Sequence, residues 1–453
     1  MRSHSATTLP RPAIFFCWRG DAENTRRFYE ISASLKTGSA ASMMSEARLD
    51  ILNGDYVDAA RATLERAARY NDAFAYRDYL CWLFAFGQRE AGWAGFEQLK
   101  ALPNPQVWIA AHVGHRIDRR TWKELREWLL SDPIRTVGQT HRFALAEAVM
   151  LNAIDRAPAG DLVESMKAIE GMPLAAFTGG SAQQAVLIPH PTEPASGRAG
   201  IFRSALPEAG PTGYKEGDPV PSHLVMFADA YVDLRRGDHA GAVKKFYAMA
   251  QLYAIEGRDL DSYSTYALPY FAWSSAKAGD PYKLEAFLDR LPDSKEHRFD
   301  RSLAKAFFAG LRGETAAAIA ALNRAYDNRP YTLSRPIFTE YQWAEACAWL
   351  FEATHITKYR DLALKWARAN QVIQPFVAWP YTMEVKLTKS PQERQRALGF
   401  ALYLDAGSER IADISEAEKR AARSRFEAIN PFKEVKGPTL RASLERLTSA
   451  RSD

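Results

Sequence analysis

The chain has little cysteine. Cys17, Cys81 and Cys347 are the three that occur, far apart and in apolar surroundings such as Phe16-Cys17-Trp18 and Leu80-Cys81-Trp82. A sparse, odd count argues against a disulfide framework and fits a reducing compartment. Each reads as a small core hydrophobe. Long apolar runs are missing too. No stretch approaches the ~20 apolar residues that cross a bilayer, so no membrane span is expected. The run Ala13–Trp18, which follows Arg2 and Arg11, is too short for the hydrophobic region of a signal peptide, and no small-residue cleavage site follows it. The expectation is a soluble, cytoplasmic protein. Excess charge is also lacking: 59 Lys and Arg face 54 Asp and Glu, a net charge of +5. That falls well short of a nucleic-acid footprint, and no nucleic-acid partner is expected.

Catalytic signatures are absent as well. There is no P-loop, no G-x-G-x-x-G after a strand, no G-x-S-x-G, no H-E-x-x-H and no paired C-x-x-C. Gly179-Gly180-Ser181 lacks the context of a nucleophile elbow. His112 and His115 stand at i, i+3, a spacing that metal sites use. No Cys or carboxylate sits nearby at ligand spacing, so they read as a surface pair beside Arg116. No metal and no cofactor is expected. The basic run Arg119, Arg120, Lys123 and Arg126 is interleaved with Glu124 and Glu127, which marks a solvated helix face. The cluster Lys419, Arg420, Arg423 and Arg425 is likewise flanked by Glu416, Glu418 and Glu427.

What the chain does have is helix-favouring composition and an internal repeat. Ala and Arg are abundant, β-branched residues are sparse in most segments, and 47% of residues are apolar. The same turn recurs: Gly54-Asp55-Tyr56-x-x-Ala59, Gly237-Asp238-His239-x-x-Ala242 and Gly313-Glu314-Thr315-x-x-Ala318, with looser copies at Gly87-Gln88-Arg89-x-x-Gly92 and Gly279-Asp280-Pro281-x-x-Leu284. Gly54 to Gly87 is 33 residues and Gly279 to Gly313 is 34. Two helices of about 12–15 residues and two short turns need that length. The chemistry of the pattern is direct. Gly ends a helix where a left-handed residue is cheap. The acidic neighbour suits the positive N-terminus of the next helix. The small residue five places on admits a close helix approach. A large residue four later (Phe96, Phe246, Leu288, Leu322) extends the same buried stripe.

These residues resemble the second half of the tetratricopeptide repeat. The likeness is strongest at Gly313, Ala318, Leu322, Ala325 and Pro330, and Ala401–Asp405 followed by Gly407 and Ser408 is similar to the exit of such a repeat. Weaker copies fit at Thr121–Ser131, Asp161–Gly171 and Lys358–Gln371. The first helices depart from the family, lacking its fixed Trp, Leu-Gly and Tyr, and spacings of 41, 42 and 44 residues also occur (Arg119 to Gly160, Gly237 to Gly279, Gly313 to Thr357). The resemblance implies an all-α fold: a right-handed superhelical solenoid of about nine degenerate antiparallel helix pairs over most of residues 38–410.

The expected division of the chain is a capped array with one interruption. Residues 1–37 hold an N-terminal segment and a capping helix, Asp21–Leu35. Helical repeats fill 38–177 and 222–410. Residues 178–221, rich in Pro and Gly, form an insertion loop that cannot be regular helix. Residues 411–453 hold a second capping helix, Ser415–Ile429, stopped by Asn430-Pro431, and a tail.

Two functions follow. The resemblance implies a non-catalytic scaffold or adaptor whose concave groove holds a peptide or a partner protein. In the fitted register the first-helix residues facing that groove are Arg48, Arg77, Phe84, Tyr231, Trp273 and Phe307, of the aromatic and Arg types that anchor interfaces. The alternative starts from Glu340 and Glu345 around Trp343, followed by Trp349, Trp366 and Trp379. Carboxylates among helix-borne aromatics are similar to the α/α-toroid enzymes acting on polysaccharides, which implies a carbohydrate-active or sugar-binding protein. The oligomeric state stays open.

Overall fold

A computed structural model of the chain describes residues 22–35, 38–70, 72–100, 124, 127–128, 223–255, 268–288, 295–328 and 338–432. The insertion at 178–221, the His112/His115 pair, the run Arg119–Arg126 (apart from Glu124) and the weaker copy at Asp161–Gly171 lie outside the described residues, as does most of the copy at Thr121–Ser131. The described residues contain helices and no strand. In chain order they are α1 (Ala22–Ser34), α2 (Ala40–Asn53), α3 (Tyr56–Tyr70), α4 (Ala73–Ala85), α5 (Arg89–Lys100), α6 (His223–Arg236), α7 (His239–Ile255), α8 (Leu268–Ala278) and α9 (Tyr282–Leu288). There follow α10 (Lys295–Leu311), α11 (Thr315–Asn328), α12 (Phe338–Thr354), α13 (Thr357–Ile373), α14 (Trp379–Leu387), α15 (Pro391–Asp405) and α16 (Glu416–Ile429). Among the described residues no helix is long and apolar enough to cross a membrane. Cys81 and Cys347 are buried thiols, and burial pushes the Cys347 thiol far above its ordinary range.

The recurring glycine does what its chemistry suggests. Gly54, Gly87, Gly237, Gly279 and Gly313 all adopt positive φ, between 68° and 89°. At each, the N–H of the following residue reaches back to a carbonyl five residues earlier: Asp55 to Asp50 at 2.8 Å, Gln88 to Leu83 at 2.8 Å, Asp238 to Asp233 at 2.9 Å, Asp280 to Ser275 at 3.1 Å and Glu314 to Ala309 at 2.9 Å. This is the Schellman closure, which satisfies the orphan carbonyls of the preceding helix. Five residues past the glycine, Ala59, Ala242, Leu284 and Ala318 are buried. At Gly92 a Cβ would stand 2.7 Å from the Phe84 ring, so only glycine fits. Phe96, Phe246, Leu288 and Leu322 are buried behind them.

Clustering of the backbone separates two compact units, one of residues 1–134 with 361–453 and one of residues 135–360. In the second, α6 packs on α7, α7 on α8 and α10 on α11. Three helices also meet the next but one: α7 with α9, α8 with α10 and α10 with α12. At the last of these, the Leu350 methyl lies 2.4 Å from where a Cβ on Gly310 would be, so a glycine admits the close approach.

The first unit joins two stretches of chain far apart in sequence. α1 to α5 pack in order, and so do α14 to α16. The stretches meet through aromatic contacts and side-chain bonds to backbone. Trp82 of α4 meets Phe376 edge-on at 5.2 Å, and the Tyr403 hydroxyl of α15 donates to the Ala85 carbonyl at 2.9 Å. Arg48 of α2 donates to the Val372 carbonyl at 3.1 Å and to that of Ile373, covering the negative C-terminal end of α13. α1 and α16 are the first and last helices among the described residues. α16 opens on Ser415, whose hydroxyl accepts from the Glu418 N–H at 3.2 Å. The junction at Gly407 differs from a repeat exit. Its backbone is not left-handed, because the chain continues through a right-handed Ala406 into a short 3₁₀ turn, Glu409–Ile411.

Candidate functional site

Four alternate helices of the second unit carry one connected aromatic seam. α6 supplies Phe227 and Tyr231, one turn apart and stacked at 5.7 Å. Tyr270 of α8 meets both edge-on, at 5.6 and 5.1 Å. It also reaches Trp349 of α12 at 6.1 Å. One turn on, Trp273 lies 4.2 Å from Trp349 and 6.2 Å from Phe307 of α10, and Phe307 is 5.6 Å from Trp349. Apart from the tighter Trp273–Trp349 contact, these spacings are those of favourable aromatic pairs. Glu345 sits one turn before Trp349, and its carboxylate accepts from the Tyr270 hydroxyl at 3.3 Å. Tyr231, Tyr270, Phe307 and Glu345 are buried, while Trp273 and Trp349 are half-buried. The seam therefore has a closed floor and a two-tryptophan edge. The Lys277 ammonium stands 5.1 Å over the Trp273 ring, a cation–π contact. Burial, and then the Lys277 charge, hold His239 at the start of α7 below its ordinary pKa, so this end carries its positive charge on Lys277.

Three of the six groove candidates thus come together here: Tyr231, Trp273 and Phe307. The other three belong to the first unit, and each has a separate packing role there. Arg48 covers the end of α13. Arg77 is buried and grips the Asp78 carboxylate, with Nη2 to Oδ1 at 2.7 Å. Phe84 packs at 5.8 Å against both Trp93 and Phe96. The cleft beside Arg48, walled by Met43, Asp78, Trp82 and Phe376, has room for little more than a water, far below what a metabolite needs.

For the carbohydrate alternative, Glu345 does lie among aromatic rings. The side chain of Glu340 lies outside the described residues. Glycoside hydrolysis needs two facing carboxyl groups, and among the described residues of this unit Glu345 is the sole buried carboxylate. Among the described residues no three His, Cys, Asp or Glu side chains gather as metal ligands.

One cluster escaped the sequence reading. Glu384 of α14 is fully buried and accepts from Arg368 Nε at 2.8 Å, Arg396 Nη2 at 2.9 Å and Gln371 Nε2 at 2.8 Å. Arg368 also pairs with Glu393 at 2.8 Å; a hydrogen bond from the Thr388 hydroxyl, and then the Arg368 charge, hold the Glu393 pKa below its ordinary value. Its charges balance, which makes it a brace of the first unit. A carboxylate in a helix buried almost all round was the available signal. Comparison of the chain with protein-family models, with curated proteins and with solved structures returns no match.

Proposed function

We propose that the chain is a non-catalytic interaction scaffold: a right-handed solenoid of degenerate tetratricopeptide-like helix pairs that binds a peptide or a partner protein. The observation that carries this reading is the recurrence of one junction, a left-handed Gly closing a Schellman bond, at five places, with α7, α8 and α10 each packed on the next helix but one. Repeats of this kind build extended surfaces rather than enclosed pockets. Within that surface the Trp273–Trp349 edge is the anchor, and Tyr231 and Phe307 are the floor that holds it rigid. Large, half-buried, preorganised aromatics are the usual hot spots of interfaces.

The test is site-specific photo-crosslinking on the full chain in extracts of its native cells. A photo-reactive residue in place of Lys277 gives a discrete protein adduct, and the adduct disappears in Trp273→Ala and Trp349→Ala. The same residue in place of the exposed Tyr282 on α9 gives none. Absence of an adduct at 277, or an adduct indifferent to both tryptophans, overturns the reading. Glu345 beside the seam favours the second reading, sugar binding on an α/α toroid. Saturable quenching of tryptophan fluorescence by soluble oligosaccharides, lost in Trp273→Ala, would replace the scaffold with that one.

A further inference from the structure

The end of the described chain forms a strap. α16 has 14 residues, of which only Ala422 and Phe426 are buried. It packs mainly on α15. Some of its bonds close on itself. The Ser415 hydroxyl caps its first turn, and Glu416 pairs with Lys419 at 3.1 Å. An ion pair also joins it to the helix beneath, from Glu418 to Arg394 of α15 at 2.8 Å. Its own cap and its own i, i+3 pair favour the helix locally.

Two phenylalanines hold this strap in place. Phe426 fits between Phe400 at 4.9 Å and Tyr403 at 5.1 Å. Beyond the helix, the Phe432 N–H donates to the Asn430 side chain at 2.9 Å, which turns the chain inward. Phe432 then enters a socket of rings from both stretches of the first unit: Tyr56 at 5.1 Å and Phe86 at 5.8 Å on one side, Tyr403 stacked at 5.2 Å on the other. It is 2% exposed. The strap is thus a largely solvent-exposed helix whose tip fills the seam between two stretches of chain some three hundred residues apart.

We propose that residues 415–432 form a detachable latch, and that the socket of Tyr56, Phe86 and Tyr403 is a docking site for a turn peptide anchored by phenylalanine, occupied in cis by Asn430-Pro431-Phe432. When the latch leaves, α1–α5 and α14–α15 stay folded, and the socket takes a second copy of the same segment. This does not depend on the scaffold reading, which concerns the other unit.

Gly399 gives a clean way to test it. A Cβ there would stand 2.7 Å from the Phe426 Cβ and 3.1 Å from the Ala422 carbonyl oxygen, both too close to the backbone to yield by a rotamer change. Alanine otherwise improves a helix interior, so Gly399→Ala expels α16 without weakening α15. Overpacking of this kind shifts the latch equilibrium by roughly tenfold or more. Hydrogen exchange on full-length Gly399→Ala should show amides of 416–429 losing protection by that factor, while α2–α4 and α14–α15 keep theirs. No change at 416–429 overturns the latch, and so does an equal loss across the unit. In a second measurement, a fluorescent peptide of residues 415–432 is titrated into the full chain carrying Phe426→Ala and Phe432→Ala. Saturable binding is expected there, but not to the wild-type chain and not by a peptide with both phenylalanines changed to alanine. Failure of the wild-type peptide to bind the double variant refutes an exchangeable socket.

Discussion

From α2 to α11 the described chain turns on a left-handed glycine five times, whereas from α13 onward it turns on serine, threonine and proline. Each of those five junctions is a local backbone device, the same Schellman bond repeated. In the second region, α14 opens with Pro380 in its first turn, and α15 opens on Ser390 and Pro391. The helices there are then held in place by long side chains that converge on Glu384. The two styles imply different weaknesses. A backbone device fails when one dihedral is blocked, and a side-chain brace fails when one charge is lost. The junction between α12 and α13 lies between the styles. His355 holds the left-handed position there, at φ 56°, with no glycine to make it cheap.

The largest effect separating the regions is expected at Glu384. Glu384→Ala removes the one acceptor that Arg368, Arg396 and Gln371 share. Breaking a buried ionic network costs about 3 kcal/mol when the stranded arginines can still reach water, and both arginines here are more than 40% exposed. Chemical denaturation followed by hydrogen exchange should show α13–α15 losing that protection while α6–α11 keep theirs. If the loss spreads evenly over both units, the two styles are not independent.

The next effect tests the backbone device. Gly313→Ala meets no atom within 4 Å, so any loss comes from the left-handed backbone alone. It is expected to cost about 1–2 kcal/mol. Gly407→Ala, at a turn without left-handed backbone, should change the melting temperature little. Equal losses at both positions would remove the distinction between the regions.

That distinction also sets what could be read from the residues. Gly54, Gly87, Gly237, Gly279 and Gly313 were legible because a positive φ selects one residue type within a few positions of chain. The end of α16 was legible by local chemistry too, since Asn430 before Pro431 stops a helix. The meeting of Trp82 with Phe376, or of Tyr56 with Phe432, is not written in any local pattern, since nothing near either residue encodes a partner so far along the chain. Arg48 shows the cost. In the fitted register it belongs to a groove, yet an arginine reaches carbonyls as readily as a ligand, and here it covers a helix end. Of the seam, Tyr231, Trp273 and Phe307 were named from their helix positions. Tyr270, which links them to Glu345, carries no mark distinguishing it from other core tyrosines.

His355 allows the comparison to be run in reverse. His355→Gly gives this junction the residue that the five others use. Relief of a left-handed non-glycine residue is worth about 1–2 kcal/mol per residue, and the added flexibility of glycine in the unfolded chain takes back roughly half. A small net gain in stability is expected, readable as a higher denaturation midpoint with an unchanged slope. A loss would mean that the His355 ring, edge-on to Phe351 at 6.4 Å, matters more than its backbone.

The smallest effect concerns Asp50, where a glycine-closed turn gathers charge of one sign. Its carboxyl is pushed up to about 6, first by burial and then by Asp58, Asp55 and Glu46. A carboxyl whose folded pKa lies above its unfolded value binds its proton more tightly in the folded chain. Its contribution to stability is therefore complete below about pH 4 and is lost as the pH rises through about 6. Asp50→Asn removes the penalty carried by the ionised form. The variant should melt higher than the wild type at pH 7, and the gap should close on acidification to pH 4. Half the carboxyl still faces water, so the gain is modest and should shrink in high salt, where the neighbouring charges are screened. Glu393 should behave in the opposite sense, because the Thr388 hydroxyl and the Arg368 charge hold its carboxyl below the ordinary value, so what it contributes is lost as the pH falls. Acidification that weakens α13–α15 while it firms the α2–α3 turn is thus the sharpest single separation of the two styles. A common pH response in hydrogen exchange across both would show that one cooperative unit overrides the local devices.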